Sequence, residues 1–116
     1  MLSRDSIIAV KDFGIEKIDV PEWGGEVCLK KWSAKERGIY LSMAFNESEV
    51  KMDEVANSMV SAVAMSLCDE DGKRLFNDDE LDILAGKNGE VIERLCKEVY
   101  KLNGLAANSI EESAKN

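Results

Sequence analysis

Met52, Val55, Ala56, Met59, Val60, Val63 and Leu67 recur every three or four positions. That spacing stacks side chains on one side of a helix instead of alternating them across a strand. The seven draw one stripe over about four turns and predict a long amphipathic helix, from about Glu49, that must bury one face. Val91, Ile92, Leu95, Val99 and Leu102 make the same demand nearer the C-terminus. That second stripe ends at Asn103-Gly104, a pair suited to closing a helix. The chain has 116 residues, enough for one domain with a real core.

The rest of the chain is punctuated by local signals. Ser3 is a suitable N-cap for a short helix carrying Ile7, Ile8 and Val10 and ending before Gly14. Ile15, Ile18 and Val20 favour a short strand. Beyond Pro21-Glu22-Trp23-Gly24-Gly25, the run from Val27 to Trp32 alternates, with Val27, Leu29 and Lys31 facing one way and Cys28, Lys30 and Trp32 the other. Proline fixes φ where the turn begins and glycine frees it where the turn ends, so a hairpin follows. Ser33-Ala34-Lys35-Glu36 is a capping box. The helix it starts carries Ile39, Tyr40, Met43 and Ala44 as its expected inner face and stops near Asn46-Glu47-Ser48. Asp69-Glu70-Asp71-Gly72 reads as a turn, and Asn77-Asp78-Asp79-Glu80 as the capped start of a short helix with Leu81, Leu84 and Ala85. Asn88 or Gly89 opens the last strong helix.

These signals predict a mainly α chain with a short β-hairpin, an α+β single domain built as a small bundle of about four to five helices. The expected layout places the N-terminal helix and hairpin at about 3–32, the helical body at about 33–104, and a weakly ordered tail at 105–116.

Composition excludes much chemistry. The chain holds 15 basic against 23 acidic residues, a net charge of −8, and no histidine. The excess acid is spread over both halves and would repel duplex nucleic acid, whose binding rests on basic side chains displacing counterions. Cys28, Cys68 and Cys96 stand apart with no Cys-x-x-Cys pair. Without imidazole, ordinary zinc sites and Ser-His-Asp or Cys-His nucleophile pairs lose their usual parts. Isolated thiols suit small buried apolar residues in a reducing compartment. The apolar stretch from Met59 to Leu67 is broken by Ser61 and Ser66 and falls short of the roughly 20 residues a membrane span needs. The N-terminus lacks the apolar core of a secretory signal, so the chain is expected to stay in the cytosol.

Three local patterns imitate sites. With Gly72 at the sixth position of a calcium loop, the first ligand becomes Leu67, the core aliphatic becomes Arg74 and the closing glutamate becomes Asp78. Only Asp69 and Asp71 survive as ligands, so a turn is the better reading. Asp78, Asp79, Glu80 and Asp82 complement a helix N-terminus without a neighbouring nucleophile or base. Gly24-Gly25 lacks the lysine and the following helix of a phosphate-binding loop. No catalytic residue, metal ligand or cofactor is assigned. Lys30, Lys31, Lys35 and Arg37 form a basic cluster around Glu36, expected to be a solvated strand-to-helix surface instead of an anion site.

Apolar surface remains. Met43, Met52, Met59 and Met65 lie on or beside the stripes, either as core filler or as an adaptable binding face. Trp23, Met43, Met52, Val55, Met59, Val63, Ile92, Leu95, Val99 and Leu102 are therefore the candidate partner and self-association residues, divided between core and shared surface.

Taken in order, LSRDSIIAVKD, VPEWGGEVCLKKWSAKER, CDEDGKRLFNDDELDIL, VIERLCKEVYKLNGL and IEESAKN resemble the tail assembly chaperones of long, non-contractile-tailed phages and prophages over nearly the full length. The most specific pieces are residues 20–25, 69–76 and 102–105. The resemblance implies a mainly helical, self-associating helper in the host cytoplasm. It would coat the long tape measure protein, keep it soluble, help recruit tail tube subunits and be absent from the finished virion. In many such phages a frameshift also yields a longer form, and this chain would fit the shorter. Two other classes stay open: a neck or tail-completion protein of the virion, and a small acidic regulator that occupies a basic partner surface.

Overall fold

Local capping fixes where most elements begin. The computed structural model describes residues 1–11, 14–45 and 52–105. Ser3 caps α1 (Arg4–Ala9), its Oγ accepting the Ser6 amide at 3.2 Å while Ser6 Oγ accepts the Ser3 amide at 3.1 Å. β1 (Ile15–Val20) and β2 (Gly25–Lys30) form the expected hairpin, with Ile15 opposite Lys30 and Val20 opposite Gly25. Pro21–Trp23 make one turn of 3₁₀ helix between them, and Gly24 completes the reversal at φ +81°, a conformation that favours glycine.

Ser33 and Glu36 exchange the two capping-box hydrogen bonds, 3.1 Å from the Glu36 amide to Ser33 Oγ and 2.9 Å from the Ser33 amide to Glu36 Oε1. They open α2 (Ala34–Phe45). The expected end of this helix at Asn46-Glu47-Ser48 lies outside the described residues. Its expected inner face is met at Tyr40 and not at Ile39 or Met43, and the Ala44 side chain lies outside the described residues. Tyr40 is fully buried and Leu41 packs against the core, whereas Ile39 and Met43 are exposed. The apolar pattern permits two rotations of the helix, and the long-range bond of Arg37 to Asn103 belongs to the one that turns Tyr40 inward.

α3 (Met52–Ser66) is the longest described helix, yet it is not one-sided. Every residue from Val60 to Ser66 is buried, Ser61 included. The reason is tertiary: α2, α4 (Leu81–Ala85) and α5 (Gly89–Leu102) all pack on α3, and β2 touches it as well. A helix enclosed in this way buries its whole circumference.

Leu67, read from sequence as the last turn of the stripe, instead leaves the helix. The buried Ser66 hydroxyl donates to the Lys30 carbonyl at 2.9 Å, and Leu67–Cys68 continue as β3 opposite Leu29 and Cys28. The antiparallel sheet therefore runs β1-β2-β3. Asp69 to Gly72 form the expected turn, with Gly72 at φ +86°. The chain then returns so that Arg74 bridges Cys68.

Asn77 and Glu80 form the next capping box, followed by one 3₁₀ turn and α4. Asn88 Oδ1 accepts the amides of Glu90 and Val91 to open α5. At its far end Gly104, φ +71°, lets the Leu105 amide reach the Tyr100 carbonyl at 2.8 Å while the Gly104 amide reaches that of Lys101 at 3.2 Å. This paired closure satisfies the last carbonyls, and it folds Leu105 back onto the core. The fold is a small α+β domain of five helices and a three-stranded sheet among the described residues.

Candidate partner-binding surface

The hairpin turn is tethered to the last helix. Glu22, held at the tip by Pro21, receives a forked pair of hydrogen bonds from Arg94 of α5 at 2.8 and 2.9 Å. This fork holds the Glu22 carboxyl down at about 2 from its ordinary 4.5. Next to it, Trp23 is partly buried and packs against the core. It anchors the turn with most of its ring covered.

The structure sorts the other candidate residues by depth. Val63, Leu95 and Val99 are fully buried and Ile92 nearly so. Met59 and Leu102 are partly buried against the same core. Among the candidates with described side chains, Met43 is the one on open surface, 45% exposed. Met52 and Val55 belong to the backbone of α3, and their side chains lie outside the described residues. From Met59 onward the α3 stripe thus meets the α5 stripe inside the molecule, and Met43 stands apart from them.

Exposed apolar side chains gather elsewhere. Leu2, Ile7, Ile8 and Val10 are all at least half exposed, and no residue of α1 is buried. Ile39 joins Met43 on the outer side of α2, and Leu75 and Ile83 are exposed on the segments leading into and along α4. The sequence carries the signal for α1, because a capped helix of six residues with two adjacent isoleucines is too short to bury them both. Reading helix stripes for length overlooks it.

Polar groups lock the core beneath this surface. Asn103 Oδ1 accepts the Trp32 amide at 2.8 Å, its Nδ2 donates to the Val99 carbonyl at 2.9 Å, and its own carbonyl accepts Arg37 Nη1 at 2.5 Å. One residue at the end of α5 therefore fixes the start of α2. Tyr40 and Tyr100, both buried, share a hydrogen bond between their hydroxyls, with rings edge-on at 6.0 Å. Trp32 lies against Tyr40, centroids 4.8 Å apart. Burial pushes the Tyr40 hydroxyl up to about 12 and moves that of Tyr100 further in the same direction.

The residues with chemical potential are used structurally. Burial raises the thiols of Cys68 and Cys96, the latter to about 11, which opposes the thiolate form a nucleophile needs. Asp69 Oδ1 accepts the amides of Asp71 and Lys73 at 2.8 and 3.0 Å, hydrogen bonds that lower its pKa and occupy it within the turn. Among the described residues no cluster of three or more histidine, cysteine, aspartate or glutamate side chains could hold a metal ion, and no helix is long and apolar enough to cross a membrane.

Comparison with known proteins agrees with the order of motifs in the sequence. A family model described as phage tail assembly chaperone matches residues 4–116. The solved structure titled as that of the bacteriophage HK97 tail assembly chaperone is similar at a TM-score of 0.63 and 26% sequence identity, covering 78% of this chain and 85% of that one. Among curated proteins none matches.

Proposed function

This chain belongs to the phage tail assembly chaperone family, and on that premise we propose that it binds the tape measure protein, keeps it soluble in the host cytoplasm and helps bring tail tube subunits to it. Many copies would act along one tape measure protein, associating with each other, and would leave before the virion is complete. The observation that carries this reading is the family match over residues 4–116. The surface supports it by its chemistry. Leu2, Ile7, Ile8 and Val10 of the α1 region, with Ile39 and Met43 of α2, offer apolar contact that the fold does not use. A long helix-rich partner exposes repeated apolar stripes of the kind such side chains cover. The net charge of −8 would keep the coated assembly dispersed.

The test is co-expression with the tape measure protein of the same phage or prophage. The expected result is a rise in its soluble fraction and co-purification of the two chains. An Ile7→Asp/Ile8→Asp variant should stay folded by circular dichroism and lose the effect. A wild-type chain that neither solubilises nor co-purifies the tape measure protein would overturn the proposal.

A further inference from the structure

The basic cluster between β2 and α2 divides when the chain folds. Lys30 turns to Glu36, Nζ to Oε2 3.5 Å with both side chains about one-fifth exposed, and Lys35 stands exposed on the helix. Lys31 and Arg37 instead line a cleft of about 530 Å³. Lys101 joins them from α5, and Trp32, Ser33, Ala34, Leu102, Asn103 and Gly104 complete the lining. All three charged lining residues are basic in a chain where acids outnumber bases 23 to 15. Such a local reversal of sign focuses field toward the cleft.

The groups lining the cleft are held in place with donors unspent. Arg37 gives one N–H to the Asn103 carbonyl and has no carboxylate partner among the described residues, so most of its five donors are uncommitted. The Lys31 amide is fixed to the Gly14 carbonyl at 3.0 Å. Lys101 meets Glu98 at 3.5 Å across an exposed pair, which a better acceptor displaces at little cost. Glu36, the nearest carboxylate on α2, is committed to the Ser33 amide and Lys30. Trp32, only 7% exposed, forms part of the lining, and its indole Nε1–H has no acceptor among the described residues. A buried donor left in that state is costly.

From this arrangement we infer that the cleft binds an acidic peptide segment of a protein partner, seating a glutamate or aspartate carboxylate between Arg37, Lys31 and Lys101 and a neighbouring apolar side chain against Trp32 and Leu102. The charge is too small and too local for nucleic acid, because the remaining surface is acidic and repels a phosphodiester chain. A free inorganic anion would use the cations and leave the Trp32–Leu102 wall idle. A volume of about 530 Å³ suits two or three side chains. The inference is independent of the tape measure reading, since it concerns different residues and a charged ligand.

The test is a fluorescence titration of the full chain carrying Trp23→Phe, which leaves Trp32 as the reporter. The probes are the synthetic peptide acetyl-Glu-Leu-Glu-Glu-amide and its all-glutamine counterpart. The glutamate peptide is expected to shift Trp32 emission saturably, to bind at least about tenfold tighter than the glutamine peptide, and to weaken as salt rises. A Lys31→Gln/Lys101→Gln variant, altered only at exposed side chains, should bind about fivefold or more weakly, as should Arg37→Gln if it folds; Lys35→Gln, outside the cleft, should bind as wild type. Equal binding of the two peptides would overturn the inference. So would equal losses in the Lys35 and Lys31/Lys101 variants, which mark diffuse attraction. Inorganic phosphate as tight as the peptide would make this a simple anion site and overturn the peptide assignment.

Discussion

The Tyr40–Tyr100 pair makes a sharp test of how this core is held. The two hydroxyls lie 60 residues apart in sequence, both are buried, and they hydrogen-bond to each other. Removing one, as Tyr40→Phe or Tyr100→Phe, leaves its mate in a dry site, and stranding a buried hydroxyl costs about 1–3 kcal/mol. For Tyr100 the nearby alternative is Cys96, and a thiol is only a weak partner, whereas Tyr40 has the Ser58 hydroxyl, so Tyr40→Phe is the costlier single change. Removing both leaves nothing stranded, so the double variant should lose about 1 kcal/mol or less. Tyr40→Phe is therefore expected to be less stable than the double. Against a total of about 5–15 kcal/mol for a domain, the single losses are large. Urea unfolding followed by circular dichroism measures all four proteins, and an unchanged m-value certifies that only stability has moved. For a chain of this size, 1 kcal/mol corresponds to about 4 °C in Tm. The expected coupling between the two sites is about 1–3 kcal/mol, with the double-mutant cycle as its direct readout. If the double loss equals the sum of the single losses, the hydroxyls do not depend on each other, and the reasoning fails.

Asn103→Ala removes the side-chain bonds to Trp32 and Val99 and strands the Trp32 amide, so unfolding free energy should fall by about 2–4 kcal/mol in urea melts. Cys96 is raised from 9.0 to about 11 and Tyr40 from 10.0 to about 12, which favours their neutral forms in the fold. Their contribution is full below pH 9.0 and is lost as pH climbs through the raised values, so urea midpoints should fall on the alkaline side, and Cys96→Ala should delay the onset. Glu22 has the opposite sign: its pKa of about 2 against an ordinary 4.5 means that its contribution holds above 4.5 and fades as pH falls toward 2. Carboxyl NMR titration should show Arg94→Gln returning Glu22 toward 4.5. Val99→Asp places a charge at a fully buried site and should unfold the chain, whereas Met43→Asp, 45% exposed, should change stability by about 0.5 kcal/mol or less.

Helix starts are legible in this sequence because a cap is a local event. Ser3, the Ser33/Glu36 box, the Asn77/Glu80 box and Asn88 all cap where the residue pattern places them. The hairpin and the closure at Gly104 are legible for the same reason, each needing only a few neighbours. Facing directions are less legible. On α2 the three- and four-residue spacing finds Tyr40 but not the exposure of Ile39 and Met43 or the packing of Leu41, a rotation that goes with Arg37 reaching Asn103, 66 residues away. β3 is hidden because Leu67 continues the apolar period of α3, and only the partner strand distinguishes a two-residue strand from another half-turn. The candidate surface divides on the same principle. Periodicity identifies which residues avoid water, but not whether the chain itself or another protein covers them, and for Val63, Leu95 and Val99 the chain does.

That division bears on how a helper of the proposed kind can act and then leave. Apolar residues that hold the monomer together cannot also serve a partner without unfolding, so Val60, Val63, Ile92, Leu95 and Val99 are spent on the core. No side chain on α1 is buried, so covering or uncovering them is expected to leave the fold unchanged. Binding through such a segment is reversible by construction, because the free protein is already a complete fold. Exposed isoleucines also carry a hazard, since larger apolar patches invite aggregation. Here they are few, and they sit on a molecule of net charge −8 that repels its own copies. The same repulsion sets a condition on self-association. Copies can gather on a partner only where apolar contact or a locally basic face outweighs it, and the Lys31/Arg37/Lys101 cleft is a locally basic face of that kind.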